Sequence, residues 1–261
     1  MGCITLITDF GTSDHYVGTI KGVIHSIAPD VKVIDVSHAI PAHDVVRGAF
    51  LLRQVWDWYP AGTVHLTVVD PGVGSRRRIL VGKYAGQYVV APDNGLLSFV
   101  HRDLPIEDLR VVEDPRFWCP TVSATFHARD IMAPVATHLA TGQNIVHFGP
   151  ATDHLEVLQP ERSTVDSHLA IVGSVLYVDQ FGNLVTNIDR DELTRTCQQR
   201  SNAQVYLNGQ CIGPLRTCYA DVASGEALAL IGSNGSLEIA VNRGRAAEVL
   251  DCTPPAKVEV K

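Results

Sequence analysis

Asp9 closes the apolar, β-branched run CITLITD, and Asp70 closes TVHLTVVD. A carboxylate at the end of a strand can accept paired hydrogen bonds from a ribose diol, as the acidic residue of dinucleotide sites does. Asp70 also belongs to VVDPGVGSRRR, residues 68–78, where a Pro-Gly-Val-Gly turn leads into Arg76, Arg77 and Arg78. A short charge run is usually a solvated edge. One of the three guanidiniums could instead fold back over the turn to Asp70; in an extended chain Arg77 points to one face and Arg76 and Arg78 to the other. If Arg77 is that residue, Arg76 and Arg78 keep the ordinary role of a solvated or contacting edge. His127, in TFHARD, precedes a helical pattern whose start Asp130 is placed to cap. Alone it reads as structural, but beside Asp70 and an arginine it would form a proton-handling set.

Further residues fit the ends of a small polar ligand. Asp14 is placed to N-cap the first helix. DQFGNLVTN joins Asp179, Phe181 and Asn183 in one turn: a carboxylate for an ammonium group, a ring for stacking, and an amide for the donor and acceptor edge of adenine. The plain alternative is a hairpin turn. GSNGSLEIA offers the Ser233 hydroxyl and backbone amides to a carboxylate, or is a polar turn. There is no glycine-rich phosphate cradle, which favours a nucleoside without a polyphosphate over ATP or NAD. Asp9, Asp14, Asp70 and His127 could also make a carboxylate-rich metal site; the arginine run opposes it, because a guanidinium beside the ligands repels the cation.

The elements that must carry these residues alternate. CITLITDF, VKVIDVS and TVHLTVVD read as strands, and YVGTIKGVIHSIA and DVVRGAFLLRQVWDWY as helices between them. This pattern predicts an α/β domain with a mainly parallel sheet, whose ligands sit beyond the carboxyl ends of the strands. RILVGKYAGQYVVAPDNGLL predicts a hairpin and a turn at 92–95, and DIMAPVATHLATG a helix ending at Gly142. After the polar stretch 153–167, read as a linker, SVLYVDQFGNLVTNI, AQVYLNGQCIG, EALALIG and SLEIAVN are short strands with turn signals. They predict a smaller all-β domain, a barrel or a sandwich. The expected division is an N-terminal domain over 1–152 and a C-terminal one over 168–261.

The 261 residues are 46% hydrophobic and 19% charged, with a net charge of −7. That composition suits a soluble globular protein and disfavours a nucleic-acid or acidic-membrane binder. Six cysteines without a CxxC pair give no zinc site or disulfide scaffold, and reduced thiols in a cytoplasm are the simplest expectation. No signal peptide or membrane-spanning run is expected.

Six motifs, TDFGTSDHYVGTIKGV, VVDPGVGSRRR, APDNGLL, TFHARDIMAPVA, DQFGNLVTNI and SNGSLEIAVNRG, together resemble, in order and over nearly the whole chain, the S-adenosyl-L-methionine hydroxide adenosyltransferases, relatives of the fluorinases and chlorinases. The resemblance implies an N-terminal α/β domain, a C-terminal β-barrel, and a homotrimer with sites at subunit interfaces. It implies attack of water or hydroxide on C5′ of S-adenosylmethionine, giving adenosine and methionine, with no metal and no cofactor beyond the substrate. Asp70, Arg77 and His127 match the family's catalytic set, and Asp9 its ribose-binding aspartate. Asp14, Asp179 and Ser233 match the positions that hold the methionine amino and carboxylate groups, and Phe181 and Asn183 the adenine pocket. Phe50 sits where the halogenases carry a tryptophan against the substrate, and Asn234 where they carry an arginine near the methionine carboxylate. Ala128 follows the histidine where many relatives have glycine.

Two other classes compete. A halogenase would use chloride or fluoride, but halogenases of this family replace the Asp70 and Arg77 constellation with a hydroxyl-rich loop and lack the matching histidine. A binding protein for S-adenosylmethionine or adenosine would keep the pocket without turnover.

Overall fold

The computed structural model describes residues 2–158, 163–166, 170–199 and 203–261. The chain forms two compact units, Met1–Gln159 and Pro160–Lys261. Residues 159–162 and 167 of the expected linker lie outside the described residues, as does the side chain of Cys197.

The first unit is built on β1 (Cys3–Thr8), β2 (Lys32–Ser37), β3 (Val64–Val68), β4 (Ile79–Tyr84), β5 (Gln87–Pro92) and β6 (Ile106–Val111). Their order across the sheet is β2-β1-β3-β5-β4-β6. The pairs β1–β2, β1–β3 and β3–β5 are parallel, while β4 runs antiparallel to both neighbours. Strands buried on both faces read as continuous apolar runs, and successive side chains serve opposite layers. In β4, Ile79 and Val81 pack with α1 (Tyr16–Ile27) and α4 (Ala133–Ala140), whereas Leu80 packs with α2 (Val45–Trp56) and α3 (Ser98–Asp103). The sheet therefore has helices on both sides, the expected α/β architecture.

The helix boundaries correct two expectations. The residue before α1 is His15, with no side-chain cap, and Asp14 is exposed one position earlier. The expected cap geometry appears instead at α2, where Asp44 accepts a hydrogen bond from the Arg47 amide at 2.9 Å. The helix after His127 opens as a π-turn over Ala128–Met132. Asp130 lies inside that turn rather than capping it.

The second unit closes on itself. Strands β8 (Ile171–Val178), β9 (Leu184–Asp189), β10 (Gln204–Leu207), β11 (Gln210–Arg216), β12 (Ala227–Ile231), β13 (Ser236–Val241) and β14 (Lys257–Val260) follow the order β14-β10-β11-β12-β13-β9-β8, and β14 pairs back to β8. A short β7 (Thr164–Val165) adds to the outside of β8. Closure leaves no free edge among the seven strands, and the interior is filled by Ile171, Leu184, Val205, Leu237, Ile239 and Val258 among others. The Asn208-Gly209 turn has positive φ at both residues, as a two-residue hairpin requires. Helix α5 (Arg190–Gln199) contributes the buried Leu193 to this core, and α6 (Ala246–Val249) contributes Ala246.

Candidate active site

The chain leaves β1 toward β2 on one side and returns to β3 on the other, so the sheet order reverses between β1 and β3. A crevice opens at such a switch point, beyond the carboxyl ends of the strands. Asp9 follows the last residue of β1, and Asp70 lies two positions beyond β3. The two carboxylates line one cavity of about 310 Å³ together with His127.

The 70–77 turn is closed by its own backbone. The Val73 amide donates to the Asp70 carbonyl, and the Ser75 amide to the Gly72 carbonyl. Ser75 Oγ in turn accepts from the Arg77 amide. Gly74 has φ +78°, and a Cβ placed there would lie 2.4 Å from the Ala124 carbonyl oxygen. Only glycine lets this turn touch the loop that carries His127.

Arg77 is the arginine that folds back to Asp70. Its Nε lies 3.0 Å from both Asp70 carboxylate oxygens, and its Nη2 lies 2.5 Å from Oδ2. Both side chains are almost fully buried, at 9% and 6% exposure. The same Nη2 approaches His127 Nδ1 at 3.1 Å. A guanidinium only donates, so Nδ1 must accept and the ring carries its proton on Nε2. Burial lowers the His127 pKa, the Arg77 charge lowers it further, and Asp70 and Asp130 oppose the shift. The ring is therefore a neutral imidazole at pH 7. Asp130, read from sequence as a cap, instead accepts from the Ser123 amide at 2.8 Å and pairs with Arg129. It shapes the loop before His127.

The other arginines part company. Arg76 is exposed, as expected. Arg78 is not a solvated edge: its Nε donates to Asp93 Oδ2 at 2.9 Å, and its Nη2 donates to the His154 carbonyl at 2.9 Å.

Several lining residues carry no sequence signal of their own. Phe10, Tyr16 and Phe126 form an aromatic wall with ring centroids 5.3 to 5.9 Å apart. His43 holds φ +68°, a region in which histidine is several-fold enriched among non-glycine residues. Its amide donates to Asp9 Oδ2 at 2.9 Å, which orients that carboxylate. The one available sequence cue was its place before the Asp44 cap.

Asp14 and Phe50 do not line this cavity. Phe50 sits on α2 and meets Phe99 edge-on at 5.8 Å.

In the second unit, Asp179 organises the turn between β8 and β9. Its Oδ1 accepts from the Phe181 and Asn183 amides, each at 2.8 Å, and its Oδ2 from Asn183 Nδ2 at 3.0 Å. Phe181 is thereby held 75% exposed. It lines a cavity of about 460 Å³ with Asn183, Tyr219, Arg243 and Arg245. Ser233 and Asn234 are exposed in the β12–β13 turn, where Asn234 Oδ1 accepts from the Ser236 amide. Among the described residues, no group of three or more His, Cys, Asp or Glu side chains is arranged to hold a metal ion.

The chain matches the family model for the SAM hydroxide adenosyltransferase N-terminal domain over residues 4–149 and that for the C-terminal domain over residues 173–259. It is 36% identical over 268 residues to a protein of Salinispora tropica named (R)-S-adenosyl-L-methionine hydrolase, covering 98% of this chain and 97% of that one. A fluorinase of an Actinoplanes species is 29% identical over 270 residues, covering 92% and 90%. The crystal structure of an uncharacterized conserved protein from Thermotoga maritima superposes with a TM-score of 0.92 at 35% identity, covering 98% and 99%. With both domain models matched in order, Asp70 and His127 lining one cavity and Arg77 hydrogen-bonded to both, this chain belongs to the SAM hydroxide adenosyltransferase family.

Proposed function

We propose that this protein hydrolyses S-adenosyl-L-methionine to adenosine and L-methionine, with Asp70, Arg77 and His127 as the catalytic residues. The observation that carries this reading is the Arg77 guanidinium held between Asp70 and His127, the latter two lining the switch-point cavity. In the reaction the oxygen of water bonds to C5′ as the C5′–S bond breaks. The sulfur takes the electron pair and leaves as a neutral thioether, and the water gives up a proton. The sulfonium is its own good leaving group, so the protein needs only to orient the nucleophile and stabilise its hydroxide-like charge.

Arg77 supplies that charge without risk of losing its own proton. Its hydrogen bond occupies His127 Nδ1, and Nε2 of the neutral ring is protonated, so His127 donates to the water rather than taking its proton. Asp70 is then the acceptor. The ribose diol is assigned to Asp9, and the adenine and methionine ends to Phe181, Asn183, Asp14, Asp179, Ser233 and Asn234, with Phe50 against the substrate, as the family resemblance implies. The same resemblance supports a homotrimer. No helix among the described residues is long and apolar enough to cross a membrane, and the cytoplasm is the proposed compartment. The reaction is read as metal-independent because a guanidinium hydrogen-bonded to Asp70 and His127 repels a cation from those side chains.

The test is product analysis in oxygen-18 water. Label at the 5′-oxygen of adenosine, with no effect of chelator, is the expected result. Formation of 5′-halo-adenosine with added chloride or fluoride assigns a halogenase instead. Tight binding without single-turnover conversion assigns a sensor.

A further inference from the structure

Asp70 and Arg77 are held together by a salt bridge, and the turn between them meets a neighbouring loop at Gly74, against the Ala124 carbonyl. Residues 74–76 are exposed, and the backbone hydrogen bonds of the turn run within it. The sheet order explains what fixes its two ends. Strand β5 lies between β3, which leads into the turn, and β4, which leaves it. Two strand spacings, roughly 10 Å in all, therefore separate the ends of the turn, and the residues just beyond β5 occupy the space between.

Those residues are Asp93 and Asn94, and each grips one end. Asn94 Nδ2 donates to the Val69 carbonyl at 2.8 Å, one residue before Asp70. Asp93 takes the other end, one residue after Arg77: its amide donates to the Arg78 carbonyl at 2.9 Å and its Oδ2 accepts from Arg78 Nε at 2.9 Å. The Asp93 side chain is 3% exposed, and its Oδ1 accepts from the Glu156 amide, so the buried charge is paired on both oxygens. Arg78 is further pinned by the His154 carbonyl at 2.9 Å. We propose that Asp93 and Asn94 are positioning residues for the reaction, a two-residue brace that sets the spacing of Asp70 and Arg77 and through Arg77 the orientation of His127.

The proposal rests on the hydrolase reading for its kinetic test but not for its spectroscopic one. Misplacement of a reacting group by about 1 Å costs on the order of 100-fold in rate. Asp93→Asn, which keeps shape and drops the charge, and Asn94→Leu, which removes the donor, should each lower kcat between tenfold and a hundredfold with KM changed less than twofold. The exposed Arg76→Ala serves as the unaffected control. Nitrogen-15 spectra of the His127 ring supply the second arm. In the wild type Nδ1 carries the signature of an unprotonated acceptor. In both brace variants that signature should weaken, and the ring should titrate at a higher pH as the Arg77 contact loosens. Asp70 and Arg77 face the ring from the turn, Asp130 from its own π-turn, and Asp9 and His43 share its cavity. Should Asn94→Leu fail to fold, Asn94→Asp removes the same donor at constant size. Wild-type kcat in both variants, or a loss carried by KM alone with an unchanged His127 ring, overturns the brace. A wild type that releases no adenosine overturns the hydrolase reading instead, and leaves the ring spectra to decide the brace.

Discussion

Arg77 Nη2 lies 2.5 Å from Asp70 Oδ2 and 3.1 Å from His127 Nδ1, so one nitrogen donates toward a carboxylate and an imidazole that stand fifty-seven residues apart in sequence. The arrangement requires a planar fork, because Nε and Nη2 must both face Asp70 while Nη2 also reaches the ring. Lysine has the charge without the fork. Arg77→Lys should therefore lower kcat by about 100- to 1,000-fold while leaving adenosine affinity within a few-fold. Steady-state kinetics and calorimetry of adenosine binding check this. Arg77→Lys with wild-type kcat, or Arg76→Ala with the larger loss, would falsify the assignment.

Activity should depend on His127 staying neutral. Protonation puts a hydrogen on Nδ1, against the Arg77 donor, and breaks the shared geometry. Burial and the Arg77 charge both lower the ring's pKa from the ordinary 6.5. The acid limb of kcat/KM therefore falls below pH 6.5, with activity present above it and lost as the pH drops through the folded-state value. Removing the nearby charge in Arg77→Gln should move the residual activity's acid limb upward. A wild-type limb at or above pH 6.5 would contradict the neutral-imidazole reading.

Gly74 ties the two loops of the catalytic set together. Alanine at this position meets the Ala124 carbonyl at 2.4 Å in a backbone conformation, φ +78°, that side chains disfavour. The two loops must separate, and His127 moves with the second. Gly74→Ala should cost kcat at least tenfold, and because Phe126 and Ala128 on either side of His127 belong to the apolar core, the thermal midpoint should fall as well. Gly142→Ala, at a positive φ with open space around it, is the comparison: it carries backbone strain far from the cavity and should leave kcat unchanged. Equal kcat in the two variants would remove the contact from the mechanism.

Local pattern carried the α/β layer and the strand-end carboxylates, since a period of two and the alternation of strand and helix are written in adjacent residues. The choice of Arg77 among the three arginines came from the family resemblance, because alternation only sets it on the face opposite Arg76 and Arg78. Asp14 failed as a cap because helix α1 begins at Tyr16, and helix starts are uncertain by one or two residues. Arg78 looked identical to Arg76; what separates them is Asp93, fifteen residues away and brought alongside by the β4–β5 pairing. Strand β14 has only four residues, and its place is set by β8 and β10, which lie far away in the chain. The His43 amide that orients Asp9 is a backbone group, and no side-chain pattern announces it.

Stability should fall with acid because of a histidine on the strand that leads to Asp70. His65 in β3 is fully buried beneath the Trp56 ring, with centroids 4.5 Å apart. Its Nδ1 pairs with Thr5 Oγ1 at 2.7 Å and its Nε2 with Gln87 Oε1 at 2.9 Å. Since the amide oxygen accepts from Nε2, Nδ1 accepts the threonine hydroxyl, and the ring is neutral with both nitrogens satisfied. Burial lowers its pKa from 6.5 to about 4, against a smaller opposing effect of the Gln87 hydrogen bond. The unfolded chain therefore binds a proton that the folded one refuses between those values. The stabilisation is complete above pH 6.5 and is lost as the pH falls toward 4, on the order of 3 kcal/mol in all, of which about 2 kcal/mol is gone by pH 5. Urea midpoints at pH 7 and pH 5 measure the slope. In His65→Gln, whose amide does not titrate, the midpoint should start lower at pH 7 and change less between the two values. A variant that loses as much stability as the wild type over that interval would mean that other groups carry the acid sensitivity.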